Sequence, residues 1–270
     1  MKTFLGNERK WLIVLLAAGS MGWVNAAEPE SALTYNIGVV NNYLYRGISQ
    51  TRGDAAVQGG VDYADKSGFY VGAWASSIKW IEDNSTATAR TSGPTELDIY
   101  GGYKFDLSPG TTLDLGYLRY EYLNNSLQNN PSYSNASTDE VYVGMSTPLF
   151  NVKFSYALSN LFGQASTPTA GLNAKGATYT EFSREFDLGS GFKLTPKAGM
   201  TSMNSNVKDA NGGSTSYNDY SLTLSKELQE GLVLSVGYSG TNANKNYYVS
   251  GNNGKYLGDQ AAVVGLKYNF

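Results

Sequence analysis

The hydrophobic pattern at the end of the chain has a period of two residues. Within residues 259–270, apolar side chains alternate with small or polar ones, and the apolar positions are Ala262, Val264, Leu266, Tyr268 and Phe270. Such alternation predicts a β-strand that has one apolar face and one small or polar face. The strand would end on an aromatic side chain, Phe270, that belongs to the apolar face.

The same period recurs along most of the chain and predicts about twelve strands. Their expected ranges are 33–46, 55–64, 69–78, 96–105, 112–122, 138–146, 152–160, 177–186, 192–201, 217–226, 232–240 and 259–270. The alternation is clearest in 96–105. It is weakest in 177–186, where Glu181, Arg184 and Glu185 prevent a simple assignment of faces.

The connections between these strands alternate in length. One set is tight and rich in turn-forming residues, at 65–68, 106–111, 147–151, 187–191 and 227–231. The other set is long and polar, at 79–95, 123–137, 161–176, 202–216 and 241–258, except for its short first member at 47–54. Short periplasmic turns that alternate with long extracellular loops are typical of outer-membrane barrels.

These patterns predict an all-β chain that folds as a transmembrane antiparallel up-and-down β-barrel of about 12 strands, with short periplasmic turns and long extracellular loops. The strands would close on themselves, because unpaired edges cannot remain in hydrocarbon. The apolar face would contact outer-membrane lipid, and the other face would line a lumen. Many inward positions hold small residues. The favoured interpretation is that they leave an open but narrow lumen, and the alternative is that the glycines merely relieve strand curvature. These positions are Gly72, Gly102, Gly116, Gly144, Ser155, Ala157, Gly199, Ser221, Thr223, Ser235, Gly237 and Gly265.

The start of the chain has the pattern of an export signal. The first ten residues contain three basic side chains, Lys2, Arg9 and Lys10. An apolar run of about eight residues follows, too short for the roughly 20 that cross a bilayer as a helix. Val24 and Ala26 provide the small residues of a cleavage site. We therefore expect 1–26 to be a cleaved signal peptide and 27–270 to be one domain, secreted through the periplasm to the bacterial outer membrane.

Composition narrows the possible chemistry. The formal net charge of −3 does not indicate a nucleic-acid partner. The chain has no cysteine, which excludes disulfides and thiolate metal sites, and no histidine, the usual base of a catalytic serine. The carboxylate pairs Glu96 with Asp98 and Asp139 with Glu140 could support acid–base catalysis, but lumen and rim polarity is the favoured interpretation. We expect no catalytic residues, no metal site, no cofactor and no enzyme activity.

The inward charges are expected to lie at two heights. Five lysines would face the lumen near the periplasmic ends: Lys66, Lys104, Lys153, Lys193 and Lys267. Acidic residues would occupy the extracellular half together with two arginines: Glu96, Asp98, Glu140, Asp219, Arg46 and Arg52. One hypothesis is a lysine collar that holds anions below an acidic vestibule. The favoured alternative is that the lysines reach solvent and pair with Asp62, Asp106, Asp114 and Asp187.

Arg46 and Gln50 belong to the first hairpin, at the expected mouth of the barrel. In one interpretation they form a constriction that folds inward and sorts solutes, together with Arg52, Glu96, Asp98, Glu140 and Asp219. In the favoured one, Arg46 is bound to Glu96 or Asp98 and holds the first hairpin against its neighbours.

Residues 39–51, VVNNYLYRGISQT, resemble the opening signature of the TorF-family porins of proteobacteria. Further segments are similar to the same family: VQGGVDY at 57–63, SGFYVGAWAS at 67–76, ELDIYGGY at 96–103, EVYVG at 140–144 and KFSYALS at 153–159. The last strand, with Tyr268 and Phe270, resembles the closing strand that the barrel-assembly machinery reads. The resemblance implies a small outer-membrane barrel that passes solutes, without implying which solute.

We therefore expect a narrow passive channel for small hydrophilic solutes or ions, with a monomer favoured. One alternative is a barrel with a filled lumen that displays its loops as a receptor or adhesin. A barrel enzyme is the least favoured alternative, because the chain has no histidine.

Overall fold

A computed structural model of the chain describes residues 32–164 and 173–270. The predicted signal peptide, 1–26, and part of the predicted loop 161–176 lie outside these residues. Within them the strands are β1 (Ala32–Val40), β2 (Leu44–Tyr45), β3 (Ile48–Ser49), β4 (Ala56–Ala64), β5 (Phe69–Ser77), β6 (Thr95–Ser108), β7 (Thr111–Leu123), β8 (Thr138–Ser146), β9 (Asn151–Ala157), β10 (Thr178–Ser183), β11 (Phe186–Gly189), β12 (Phe192–Ser202), β13 (Tyr217–Gln229), β14 (Leu232–Thr241) and β15 (Ala261–Asn269). A short helix, α1 (Trp80–Asp83), follows β5.

The strands close into one antiparallel barrel. From β4 to β10, and again from β12 to β15, each strand pairs with its neighbour in sequence, and β1 pairs with both β4 and β15. Strands β10 and β11 lie end to end along β12, so they form one broken strand of the wall. The wall therefore has twelve strands, which confirms the predicted fold. The tight turns lie at one end of the barrel, the turn end, and the long connections lie at the other, the loop end.

The alternation of side chains along the strands separates an apolar outer surface from a polar interior. Ile37, Val57 and Leu222 are each about half exposed on the outside. In β15 the apolar residues also point outward, and Phe270 is 63% exposed. An apolar outer face over a polar interior is typical of transmembrane barrels. Of the described residues, no helical stretch has the length and apolar character to cross a bilayer.

The prediction of one strand over 177–186 is wrong in detail. The wall strand there consists of β10 and β11, with Arg184 and Glu185 between them. Opposite this break lies Pro196 of β12, whose carbonyl accepts a hydrogen bond from the Arg184 amide at 3.3 Å. Proline has no amide hydrogen to return a second bond, so the ladder is interrupted at this point.

The prediction that the first strand reaches residue 46 is also wrong, because β1 ends at Val40. Asn41 then bonds to β15 with its side chain: its Oδ1 accepts from the Val264 amide at 2.8 Å, and its Nδ2 donates to the Ala262 carbonyl at 3.2 Å. Because these bonds end the ladder, the backbone is free to turn away from the wall. Residues 41–54, with β2 and β3, fold into the barrel, and we name this segment the lumen hairpin.

The packed core lies inside the barrel, around the lumen hairpin. Tyr43 of the hairpin is only 1% exposed and contacts Trp74 of β5 edge-to-face, with ring centroids 5.5 Å apart. Tyr45 contacts Tyr120 and Phe162 in the same manner, at 5.7 and 5.4 Å. Aromatic rings are stabilised in such edge-to-face contacts. The hairpin is therefore held by a buried aromatic cluster on one side of the lumen.

Candidate functional site: the lumen hairpin and its two cavities

The lumen hairpin crosses the lumen and reaches the opposite wall. Its tip, Gly47, has a φ of +76° and abuts Asp219 of β13 and Thr241 of β14. A Cβ at this position would lie 2.9 Å from the Cβ of Asp219, closer than side chains pack. Only glycine combines this backbone conformation with this close approach. The hairpin therefore divides the lumen into a part near the loop end and a part near the turn end.

Arg46 is the principal charged residue of the hairpin, and it binds Glu140 of β8. Its Nη2 atom donates to both carboxylate oxygens of Glu140, at 2.9 and 2.8 Å. The guanidinium also lies over the rings of Tyr45 and Tyr179, 4.8 and 4.3 Å from their centroids. The predicted attachment of Arg46 to Glu96 or Asp98 is wrong. Glu140 is the partner because the hairpin leaves the wall at residue 41 and carries Arg46 across the lumen.

Tyrosines connect the hairpin to two of the predicted acidic residues, to Glu96 directly and to Glu140 through Tyr120 of β7. The Tyr43 hydroxyl donates to Glu96 Oε1 at 3.2 Å, and the Tyr45 hydroxyl lies 2.6 Å from that of Tyr120. The Tyr120 hydroxyl donates in turn to Glu140 Oε2 at 3.2 Å. Glu96 and Glu140 thus form part of the hairpin's binding surface on the wall. Asp98 occupies the next inward position after Glu96 on β6.

Gln50 and Arg52 lie at the base of the hairpin and contact the neighbouring loop. The Gln50 backbone carbonyl accepts hydrogen bonds from the Lys79 and Trp80 amides at 2.9 and 3.2 Å. Arg52 Nη1 donates to Asp83 Oδ1 at 2.6 Å, so this arginine is bound to α1 rather than to the lumen wall. These contacts attach the hairpin to the loop that follows β5.

The five predicted lumen lysines occupy different environments. Lys66 is exposed in the turn between β4 and β5, and Lys193 is bound to Glu185 at 2.7 Å near the turn end. Lys104 and Lys153 point into the lumen, with their ammonium groups 4.9 and 4.6 Å from the ring centroids of Tyr70 and Tyr142, respectively. Lys267 also occupies an inward position, on β15.

Acidic residues share this layer of the lumen with the lysines. The Tyr70 hydroxyl donates to Asp114 at 2.7 Å, and the Tyr100 hydroxyl donates to Asp62. Asp62 and Asp114 therefore interleave with the lysines. Lys104 and Lys153 point into the lumen rather than reaching solvent, so the favoured sequence interpretation is wrong for these two residues, and the lysine collar stays a prediction. Within the described part of the chain, no group of acidic side chains could hold a metal ion.

Small inward residues have opposite surroundings on the two sides of the barrel. On β5–β8 and β12 they seat tyrosine rings: a Cβ on Gly72, Gly102, Gly116 or Gly199 would collide with Tyr100, Tyr70, Tyr142 or Tyr179, respectively. We call the inward face of β5–β8 the tyrosine wall. The expectation that small inward residues leave room for water is wrong there.

On the other side, small residues do border open space. A cavity of about 570 Å³, open solvent included, lies on the turn-end side of the hairpin tip. Its lining includes a group of small polar side chains on β13 and β14, which we call the hydroxyl wall: Ser221, Thr223, Ser235 and Ser239. Lys197 and Asp219 border the same cavity, so it presents one charge of each sign.

A second cavity lies on the loop-end side of the hairpin. This loop-end cleft encloses about 790 Å³, open solvent included, and Arg46 is among the residues that line it. Most of its other lining residues come from the long connections, among them Tyr133, Phe162 and Tyr248. The hairpin thus separates an aromatic cleft from a hydroxyl-lined cavity.

Three residues of this site were not identified from the sequence. Lys197 forms an inward ion pair with Glu181 at 3.4 Å, and Tyr179 stacks on Arg46. The outward position of the apolar Phe182 is the signal that could have placed Glu181 and Tyr179 on the inner face. No pattern along the chain could have shown that Tyr179 meets Arg46, because that contact crosses the lumen.

The fold is similar to that of solved porins. The chain aligns with the NanC porin at a TM-score of 0.54 and 11% identity, covering 88% of this chain and 99% of that one. The alignment with the KdgM porin has a TM-score of 0.48 and 9% identity, covering 88% and 98%. At such identities the likeness concerns the fold alone.

The sequence comparisons give a family but no characterised relative. Residues 25–270 match the model of a family described as "Bacterial protein of unknown function (Gcw_chp)". No curated protein matches the chain. The resemblance to the TorF-family porins stays a prediction, since the matching model does not carry that name.

Proposed function

We propose that this chain, which belongs to the Gcw_chp family of bacterial proteins of unknown function, is an outer-membrane channel that passes small hydrophilic solutes or ions passively. The observation that carries the proposal is the hydroxyl-lined cavity of about 570 Å³ beside the hairpin tip. A closed barrel without such a passage would fill that space with side chains, as the tyrosine wall does.

In this proposal the lumen hairpin is the constriction. It leaves the tyrosine wall packed and confines solutes to the hydroxyl wall, where Ser221, Thr223 and Ser235 can replace hydrogen bonds to water. Lys197 and Asp219 border the same path. A passage of this kind selects by size and polarity and needs no energy source.

The apolar outer surface supports a location in lipid, with the loop end outside the cell and the turn end in the periplasm. Tyr268 and Phe270 lie at the turn end, where the Phe270 backbone exchanges hydrogen bonds with Tyr35 at 3.0 and 2.9 Å. We propose that the outward faces of these two aromatics are the signal for barrel assembly. We further propose that the protein acts as a monomer.

Single-channel recording in planar bilayers tests the proposal. The refolded chain should give small, discrete conductance steps, and Ser235→Trp should reduce them because the indole would fill the passage. The matched control is Val236→Trp, since Val236 is the next residue and is exposed on the outside of the barrel. A correctly folded chain without conductance steps would contradict the proposal. Steps that Ser235→Trp leaves unchanged would place the passage elsewhere.

A second candidate function is that of a closed barrel which displays its loops as a receptor or adhesin. The burial of the hairpin among aromatic residues favours it, because a tightly packed hairpin could seal the lumen. The same recordings distinguish the two candidates, since a sealed barrel would bind its target without conducting.

A further inference from the structure

The loop-end cleft has an unusual lining for a polar lumen. The described lining is mostly apolar and contains seven aromatic residues: Tyr45, Trp80, Tyr133, Phe162, Tyr217, Tyr247 and Tyr248. Concave, mostly apolar sites with a few polar groups commonly bind small organic ligands. The rings would favour a flat ligand, because aromatic surfaces gain from stacked and edge-to-face contacts. The shape and surface therefore point to a small ligand with an apolar face.

The lining of the cleft contains a cation, which is paired with the buried carboxylate of Glu140 outside the lining. Arg46 is the one charged residue among the described residues that line the cleft. The remaining polar lining consists of neutral groups, such as the amides of Gln50, Asn84 and Gln164. A ligand with a negative charge would therefore meet one cation and no opposing carboxylate in the lining.

The Arg46 guanidinium retains donors for such a ligand. Its Nη2 atom donates to Glu140, whereas its Nη1 and Nε atoms have no acceptor among the described residues. Tyr45 and Tyr179 cover the guanidinium, which leaves the side chain only 6% exposed. A hydrogen bond to a carboxylate is stronger in such a partly dry setting than in water.

We propose that the loop-end cleft binds a small aromatic carboxylate, with the carboxylate on Arg46 and the ring among the cleft's aromatic side chains. A sugar acid fits less well, because most of the lining surface is apolar whereas a sugar presents hydroxyl groups around its whole ring. The inference deepens the proposed function, since it names the class of solute that the channel would take up from the loop end.

Isothermal titration calorimetry on the refolded chain in detergent micelles tests binding without reference to conductance. The probe is benzoate, compared with benzyl alcohol, which has the ring without the charge, and with glucuronate, which has the charge without the aromatic ring. We expect saturable benzoate binding that is at least about tenfold tighter than the binding of benzyl alcohol or glucuronate. One charged hydrogen bond or one stacked ring contributes about this factor to the affinity. Equal affinity for glucuronate, or no saturable benzoate binding, would overturn the inference.

The double variant Arg46→Gln with Glu140→Gln removes the cation without leaving a buried carboxylate unpaired. Benzoate affinity should fall about tenfold or more, whereas benzyl alcohol should bind as before. The matched control is Lys193→Gln with Glu185→Gln, which removes an ion pair near the turn end and should leave benzoate binding unchanged. An unchanged benzoate affinity in the Arg46 variant would refute the role of Arg46.

A variant in a long connection keeps the test usable if the double variant does not fold. Tyr247 lines the cleft, and Tyr247→Ala should weaken benzoate and benzyl alcohol together. Equal binding to this variant and to the unaltered chain would place the ligand outside the cleft. Failure of this inference is distinguishable from failure of the channel: a chain that binds benzoate but does not conduct contradicts only the channel.

Discussion

The tyrosine wall and the hydroxyl wall are built from the same strand pattern but have opposite interiors. Both alternate outward apolar residues with inward small ones. On the tyrosine wall, Gly72 and Gly116 are covered by Tyr100 and Tyr142. On the hydroxyl wall, Ser235 and Gly237 border a cavity. The difference shows that a small inward residue leaves open space in a barrel only when a residue paired with it on an adjacent strand is also small.

The pairing register accounts for this difference. On the tyrosine wall, each small residue is paired with a tyrosine on one neighbouring strand: Gly72 with Tyr100, Gly102 with Tyr70 and Gly116 with Tyr142. Gly102 and Gly116 also pair with each other, between two of those tyrosines. On the hydroxyl wall, small residues are paired with each other: Ser221 with Ser239, Thr223 with Gly237 and Ser235 with Gly265. Directly opposite side chains are the closest neighbours in an antiparallel sheet. A tyrosine therefore fills the gap that its paired glycine leaves.

The largest expected effect comes from adding one carbon atom to each wall. Gly116→Ala places a Cβ against the Tyr142 ring and should lower the free energy of unfolding by about 1–3 kcal/mol, the usual cost of overpacking. Gly237→Ala meets the Thr223 hydroxyl at 3.0 Å and the Leu222 carbonyl at 3.4 Å, without a ring in its way, and should change stability by less than about 0.5 kcal/mol. Urea unfolding in lipid vesicles, followed by tryptophan fluorescence, measures both. Equal losses of unfolding free energy in the two variants would contradict the difference between the tyrosine wall and the hydroxyl wall.

The next effect concerns the lysines of the lumen. Replacing Lys104, Lys153 and Lys267 together by Glu should shift any ion preference of the channel toward cations, because six units of charge change inside the lumen. The reversal potential in a salt gradient measures this preference. Lys66→Glu is the matched control, since Lys66 is exposed in a turn. A reversal potential that the triple variant leaves unchanged would show that solutes do not pass near these lysines.

A smaller effect is expected at the hairpin tip. Gly47→Ala adds a Cβ against Thr241. It should lower the free energy of unfolding by roughly 1 kcal/mol, because alanine is disfavoured in the left-handed backbone conformation of this position. The tip should move away from the hydroxyl wall, and conductance should rise while the barrel stays folded. Gly254→Ala is a suitable control, because this exposed loop glycine also has a positive φ but open space around it. Lower or equal conductance in Gly47→Ala would contradict the hairpin's role as the constriction.

The smallest effect is expected at the base of the hairpin, on the surface of the loop end. Lys79 donates to Asp54 at 2.6 Å and holds the pKa of that carboxyl below its ordinary value. A lowered folded-state pKa stabilises the protein above the unfolded-state value, and this contribution is lost as the pH falls through the folded-state value. Asp54→Asn should therefore cost less than about 1 kcal/mol near pH 7, because the pair is exposed. Urea unfolding at pH 7 and pH 2 measures it, and a cost at pH 2 as large as the cost at pH 7 would exclude the ion pair as the cause.

Several features of the fold could be predicted from the sequence because they depend on local patterns. The outward face of β15 follows from the alternation of residues 259–270, and the positions of the tight turns follow from their glycines and prolines. The break between β10 and β11 could not be predicted, because it depends on Pro196 in a different strand. The charge of Glu181 also obscured the alternation in this segment. Its side chain faces the lumen, where it forms an ion pair with Lys197.

The candidate site shows the same limit. Arg46 and Gln50 stood out in the sequence as residues of the first hairpin, but the partner expected for Arg46 was wrong. Whether a residue of this hairpin meets Glu96, Asp98 or Glu140 depends on where the backbone leaves the wall. Asn41 decides that point through its bonds to β15, about 220 residues further along the chain.

The sequence by itself determined the approximate number of strands, the apolar outer surface and the alternation of short and long connections, because each depends on residues a few positions apart. Only the tertiary structure decided which inward glycines are covered by tyrosine rings, where Arg46 binds and which side of the lumen stays open. Those features depend on pairs of residues brought together across the barrel, and a pattern along one strand contains no information about the register of the next.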